Sequence, residues 1–483
     1  MQGVHTVEEV RAAEDAVMSR LEPDALMLRA ASGLARTCAH MLMSHVGGVY
    51  GARVVLLVGT GNNGGDVLFA GSLLARRGAA VQVVAAGART HETGGMAAER
   101  AGCRLCPLDD AAQAIGTADL IVDGLLGIGG KGGLREPAAM LAEQATLSDA
   151  VVVAADLPSG VDADTGCAGD DAVWADVTVT FGLMKAGLLL HPGAMHAGIV
   201  ERVDLGLEDD AVVPSITCLE TTDVAALLPH PSPLDHKYSQ GVVGVAAGSG
   251  QYPGAAVLTV GGALHAKAGL VRYVGPAHHE VVTEWPSAIV SHESIAAAGR
   301  VQAWAVGPGL GTDEPARNRL TEVLAEPVPV VVDADGLTLV AAAPDLVRRR
   351  TPATVLTPHA TEFARLAPDL DVEHDPLTAV RTLAARLECT VLLKGATTIV
   401  AAADGQVRLN LTGTPWLATA GSGDVLTGVL GAFLAAGLTA FDAASVAAFV
   451  HGLAGRVAAS GAPITSHDVI SALPDAIRAV TRP

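Results

Sequence analysis

RVVLLVGTGNNGGD, residues 53–66, decides how the first half of the chain is read. The apolar run 53–58 has the length and composition of a buried strand, and it ends directly in Gly59, Gly61, Gly64 and Gly65. Glycines in that position let backbone amides approach an anion closely, while Asn62, Asn63 and Asp66 add polar groups that a structural turn does not need. The junction therefore reads as a ligand site at the end of a strand.

Outward from this stretch, apolar runs alternate with Ala-rich helical segments, the pattern of parallel βαβ units covered on both faces. Strands are expected at 53–58, 81–86, 119–122, 150–155 and 177–181, and again at 242–247, 270–274, 302–306, 328–332, 354–357 and 390–393. Between the two groups, 207–237 holds an EDD run, Pro214, Pro229, Pro231 and Pro233, and little periodicity. With 483 residues, two different α/β domains are expected, at 1–210 and 225–483 with a linker at 211–224.

Composition narrows the partners. Thirty-one basic against 51 acidic residues give a net charge of −20, which argues against nucleic acid or an anionic membrane. Six cysteines make no disulfide framework, and Cys103 and Cys106 form a lone C-x-x-C without a second pair at zinc spacing. The start MQGVHTVEEVRAAEDAVMSR carries no apolar signal core, so a cytoplasmic location is expected. The uncharged run 425–441 approaches a bilayer span, but Gly437 ends it and Asp424 and Asp442 flank it, so a buried core helix is expected.

Three strands of the first half end in acids or amides: RVVLLVGTGNNGGD, ADLIVDGLLGIGGKGG and AVVVAADLPSGVDADTG. The carboxyl ends of parallel strands open onto one crevice, so Asn63, Asp123, Asp156 and Ser159 are expected to converge. Oxygen ligands of this kind suit a hard cation, and Lys131 in GIGGKGG suits a phosphate or a reacting group. With VTVTFGLMKAGLLLHPG at 177–193, these segments resemble the NAD(P)H-hydrate epimerases over about residues 1–210. The resemblance implies a Rossmann-like three-layer αβα domain that interconverts the R and S epimers of nicotinamide hydrates. It assigns hydrate binding to Asn62, Asn63, Gly64, Gly65 and Asp66, to Gly127, Ile128, Gly129, Gly130, Lys131, Gly132 and Gly133, and to Asp156. It also implies a potassium ion on Asn63, Asp123 and Ser159, with Asp156 as the acid/base and Lys131 as its helper. Thr60 departs from the family pattern, where Pro is usual.

In the second half, TPWLATAGSGDVLTGVLGAFLAAG puts Gly421, Ser422, Gly423 and Asp424 at the start of a long apolar helix. Free amides there form an anion hole, and an Asp beside them can accept a proton from a hydroxyl. QAWAVGPGLG, PVVVDADGL, TVLTPHATEF and TVLLKGATTIV add Gly307, Gly309, Gly311, Asp333, Asp335, His359, Glu362, Lys394, Thr397 and Thr398 at other strand ends. With HKYSQGVVGVAAGS and YPGAAVLTVGGALHAKAGLV, these motifs resemble the ADP- or ATP-dependent NAD(P)H-hydrate dehydratases over about 225–483. The resemblance implies a ribokinase-like α/β fold and the nucleotide, with Mg2+, as co-substrate. Lys394, Gly395, Ala396, Thr397, Thr398 and Gly423 would bind it; Ala255, Gly309 and His359 would line the hydrate pocket, and Asp424 would take the hydroxyl proton. Thr361 and Ser422 stand where Gly and Thr are common.

The expected protein is a two-domain α/β repair enzyme acting on small molecules, the hydrates of NADH and NADPH together with ADP or ATP, and assembled as a homo-oligomer. Its rival is a ribokinase-like vitamin kinase fused to a non-catalytic nucleotide-binding module.

Overall fold

The computed structural model describes residues 1–18, 20–22, 24–130, 132–207, 212–291 and 294–481. The chain divides into two compact units, Gly3–Ser215 and Ile216–Pro483, with Met1–Gln2 counted in the second. β1 spans Gln2–Val4.

In the first unit, β2 (Arg53–Val58), β3 (Ala80–Ala85), β4 (Arg104–Cys106), β5 (Leu120–Gly124), β6 (Val151–Ala155), β7 (Val177–Phe181) and β8 (Ile199–Val203) are the described strands. They form a parallel sheet in the order β4-β3-β2-β5-β6-β7-β8. Alternate β2 side chains enter different cores: Val54, Leu56 and Val58 one, Val55 and Leu57 the other. A sheet buried on both faces reads as an unbroken apolar run, which is why RVVLLV has no polar alternation. The chain runs outward from β2 to β4, then returns to β5 on the other side. That reversal opens the crevice where ligands bind in such folds.

The second unit holds β9 (Ile216–Cys218), β10 (Val242–Ala246), β11 (Leu270–Val274), β12 (Ile289–Ser291), β13 (Ala303–Val306), β14 (Val330–Val332), β15 (Thr354–Leu356), β16 (Thr390–Leu393), β17 (Thr398–Ala401) and β18 (Val407–Asn410). Its strands run in the order β9-β18-β17-β16-β15-β14-β13-β10-β11-β12, so the strand order reverses between β10 and β13. β17 is antiparallel to both neighbours, a departure from the all-parallel expectation. Its signal is weak because the hairpin β16–β17 turns through Lys394–Gly395–Ala396–Thr397, residues that read equally well as a phosphate loop.

The apolar run near the end of the chain forms the helix Ser422–Ala435, buried along most of its length. It packs on the helix Pro253–Ala266 so closely that a Cβ on Gly428 would stand 2.0 Å from Thr259 O. Among the described residues, no helix is long and apolar enough to cross a membrane.

Candidate functional sites

In the first unit, three adjacent parallel strands, β2, β5 and β6, deliver the expected residues to one sheet edge, with β7 beside them. The helix Asn62–Arg76 starts immediately after β2, with Gly61 as its N-cap. Asn63 is buried and its Nδ2 donates to Leu126 O at 2.8 Å, while its Oδ1 has no hydrogen-bond partner. Asp123 is fully buried and accepts from Ser159 N at 2.8 Å, Ser159 Oγ at 2.7 Å and Leu125 N at 3.1 Å. Leu126 N in turn donates to Ser159 Oγ at 2.8 Å, so Asn63, Asp123 and Ser159 join through one stretch of backbone. Burial pushes the Asp123 carboxyl up to about 6, against the hydrogen bonds that favour its charge.

Asp156 lies at a left-handed backbone position, φ 66°, beyond β6. Its Oδ1 accepts from Lys185 Nζ at 2.5 Å, Phe181 N at 3.1 Å and Thr180 Oγ1 at 3.3 Å. Lys185 is 1% exposed, and its ammonium also donates to Phe181 O at 2.7 Å and Thr180 Oγ1 at 3.1 Å. Two more carboxyls face this pair. Asp66 is pushed well above the usual range by burial first, then by Asp156 and Glu14. Burial also raises Glu14, on the helix Val7–Met18, with Lys185 opposing.

Lys185 escaped the reading of the sequence although it lies inside FGLMKAGLLL. The chain has five lysines, at 131, 185, 237, 267 and 394, and one in the middle of an apolar segment is the signal that could have found it. Lys131 lies outside the described residues. Its neighbours place the rest of the loop: Gly127 abuts Asn63, where a Cβ would be 3.2 Å from Asn63 Cβ, and Ile128 packs against the core. Gly129, Gly132 and Gly133 are exposed and Gly130 is half-buried. Gly59, read as an aid to anion approach, has a packing role: a Cβ there would fall 1.9 Å from Leu125 O.

The second unit's residues gather at the ends of β10, β13, β14, β15 and β16. Ala255 and Gly309 meet at the β10/β13 reversal, where a Cβ on Gly309 would be 2.7 Å from Ala255 Cβ. Farther along, Asp333 is 1% exposed and its Oδ1 accepts from Lys394 Nζ at 2.6 Å. Glu362 Oε2 stands 3.7 Å from the same ammonium. Burial opposes the Lys394 charge, but Asp333 and Glu362 outweigh it and hold the ammonium above the usual lysine range. Gly423 adjoins both groups, since a Cβ there would lie 3.5 Å from Lys394 Nζ and 3.7 Å from Asp333 Oδ2. Asp424, next in the first turn of its helix, is pushed up to about 7, chiefly by burial and then by Asp333.

Two residues also carry structural roles. His359 is the N-cap of the helix Ala360–Leu366: Nδ1 accepts from Thr361 N at 3.1 Å and Glu362 N at 3.4 Å. It still borders the cluster through a parallel bridge to Lys394. Ser422 turns its hydroxyl back to Leu417 O at 2.7 Å, fastening the preceding loop. Gly395 and Ala396 are exposed in the hairpin turn, Thr397 is buried, and Thr398 opens β17.

A family model described as "YjeF-related protein N-terminus" matches residues 23–187, and one described as "NAD(P)H-hydrate dehydratase" matches 243–475. The chain is 49% identical over 448 residues to the bifunctional NAD(P)H-hydrate repair enzyme Nnr of Mycobacterium tuberculosis, covering 92% of each protein. It is 47% identical over 463 residues to the Mycobacterium leprae protein of the same name, covering 95% of each. A solved ribokinase-like superfamily protein from Enterococcus faecalis is 25% identical with a TM-score of 0.52, covering 56% of this chain and 98% of that one. With each half matched separately and these relatives aligned along nearly its whole length, the chain belongs to the family of bifunctional NAD(P)H-hydrate repair enzymes.

Proposed function

We propose that the first unit interconverts the R and S epimers of NAD(P)H hydrate and that the second dehydrates the S epimer at the expense of ADP or ATP. The observation that carries this reading is a pair of separate carboxylate–lysine centres, Asp156 with Lys185 and Asp333 with Lys394, each set at a glycine-rich sheet edge.

Epimerisation breaks and remakes the C6–oxygen bond on opposite faces of the ring, through a cationic centre that a carboxylate stabilises. Asp156 is the proton carrier, and Lys185 with the Phe181 amide holds its carboxylate in one orientation. Lys131, by its place in the glycine loop, is a further candidate to meet the substrate. The donor set fits potassium: Asn63 Oδ1 is buried without a partner, and Asp123 and Ser159 supply a carboxylate and a hydroxyl beside it. A cation there would fix the Gly127–Gly133 loop through Asn63 and Leu126.

In the second unit, Asp424 takes the proton of the C6 hydroxyl, whose oxygen attacks the terminal phosphorus of the nucleotide as the anhydride bond breaks. The amides at the start of the Ser422 helix and the Lys394 ammonium receive the charge on the phosphoryl oxygens. Phosphate then leaves C6 while C5 loses a proton, and the C5–C6 double bond of the reduced ring forms. Water is a poor leaving group and phosphate a good one, which accounts for the nucleotide. Incubation with separated epimers and each nucleotide tests the reading. Recovery of NAD(P)H with release of phosphate supports it, and a stable phosphorylated product without NAD(P)H refutes it in favour of a kinase.

A further inference from the structure

Asp333 makes more contacts than a strand-end acid or a simple counter-ion requires. Beyond Lys394, its Oδ1 accepts from Ala334 N at 2.9 Å, and its Oδ2 accepts from Thr427 Oγ1 at 2.7 Å. The same threonine hydroxyl stands 3.1 Å from Gly423 O, one residue before Asp424. The backbone that carries this carboxylate is itself fixed. Asp333 N donates to Val306 O at 3.0 Å, and Gly307 passes so close that a Cβ on it would fall 2.0 Å from Asp333 O. One buried side chain at the end of β14 therefore ties the lysine after β16 to the first turn of the Ser422 helix.

We propose that Asp333 is the positioning residue of the dehydratase site: its two oxygens clamp the Lys394 ammonium and the Gly423–Thr427 turn into the one geometry that serves the phosphoryl group. This rests on the phosphoryl-transfer reading of the site. Asp333 does not touch the reacting atoms; it acts through Lys394 and Asp424. A ligand-binding lysine on a hairpin and an anion hole on a helix belong to different elements, and an error of about 1 Å between them costs roughly 10²-fold in rate. Asp333 removes that freedom.

The charge of Asp333 supplies a readout that a purely structural role would not move. Asp424 is faced by Asp333, Asp335 and Glu362, which oppose its ionisation, and by Lys394, which favours it. From the helix Ala440–Ala459, His451 is buried and held well below the usual imidazole range, at about 4, so it stays neutral. Replacing Asp333 by Asn removes one opposing charge and leaves only Glu362 beside the Lys394 ammonium, and both changes favour ionised Asp424. The acid limb of the rate profile should move to lower pH even as the rate falls.

The test measures nucleotide-dependent NAD(P)H recovery from the S hydrate by the full-length wild type, Asp333→Asn and Thr427→Val between pH 5 and pH 9. Asp333→Asn is expected to lose roughly 10²-fold in kcat/KM, with its acid limb shifted downward. Thr427→Val keeps the ion pair and loses only the tie to the helix. It should lose rate with its acid limb in place. If Asp333→Asn fails to fold, Thr427→Val decides: a folded variant with wild-type rate overturns the proposal, and one with a reduced rate supports it. Wild-type rate and profile in folded Asp333→Asn also overturn it. An inactive wild type would instead overturn the phosphoryl-transfer reading, and the clamp with it.

Discussion

Replacing Lys185 by Met removes the ammonium that donates to Asp156 Oδ1, Phe181 O and Thr180 Oγ1, and keeps a side chain of similar length. The side chains of Lys185 and Asp156 are 1% and 11% exposed, so water replaces little of what is lost. Leaving one member of a buried ion pair without its partner costs about 3–5 kcal/mol. For a unit of this size, each kcal/mol moves the midpoint by about 2–4 °C, so Lys185→Met should unfold roughly 6–20 °C lower. Asp156→Asn should cost a comparable amount, because it strands the ammonium instead. The double variant has no stranded charge, and its loss should fall short of the two singles combined by at least about 2 kcal/mol, within the range found for contacting groups. Calorimetry on the full-length chain and its three variants measures this, following the transition that moves. The same variants should lose R-epimer consumption by about 10²–10⁴-fold, the scale of a displaced acid/base group. Additivity within about 0.5 kcal/mol would refute the claim that this pair is one electrostatic unit.

Dehydration should fall as pH drops through about 7, because Asp424 must be ionised to accept the hydroxyl proton and its carboxyl is pushed up to about 7. Because the folded-state value is raised, Asp424 disfavours folding increasingly as pH climbs from the unfolded carboxylate value to about 7, fully above that, and not below the unfolded value. Asp424→Asn should therefore melt higher than wild type above pH 7 and match it near pH 4, while losing dehydration throughout. Gly428→Ala should destabilise the second unit by at least about 2 kcal/mol. The gain of about 1 kcal/mol in helix propensity does not offset a Cβ placed 2.0 Å from Thr259 O, and a melting point equal to wild type would contradict the close packing. Potassium should raise the wild-type melting point more than sodium does at equal ionic strength, and Asn63→Leu should abolish the difference; an unchanged difference would remove Asn63 from the cation site.

Most of both candidate sites was legible because their residues come directly after strands. RVVLLVGTGNNGGD, ADLIVDG and TVLLKG each announce a buried strand by its apolar run and a candidate site by the polar residues and glycines at its end, and the parallel sheet brings the turns of each unit together. Lys185 was less legible because its partner lies 29 residues upstream: its apolar neighbours mark it as unusual, but nothing local names the carboxylate it pairs with. Gly59 misled for a related reason. Glycine signals close approach, and only coordinates tell approach to an anion from approach to the neighbouring Leu125 carbonyl. β16 was expected at 390–393, but β17 and β18 were missed because short strands after a glycine and hydroxyl-rich turn carry the same residues as a phosphate loop.

Two chemically independent sites are proposed to share one chain. This is tested most directly by following both epimers and NAD(P)H together, starting from R hydrate with nucleotide present, in wild type, Asp156→Asn and Asp424→Asn. Asp424→Asn should equilibrate R and S without recovering NAD(P)H. Asp156→Asn should recover NAD(P)H from added S hydrate while leaving R hydrate to its slow spontaneous epimerisation. A variant that abolished both activities while still folded, or either variant behaving as wild type, would contradict the account.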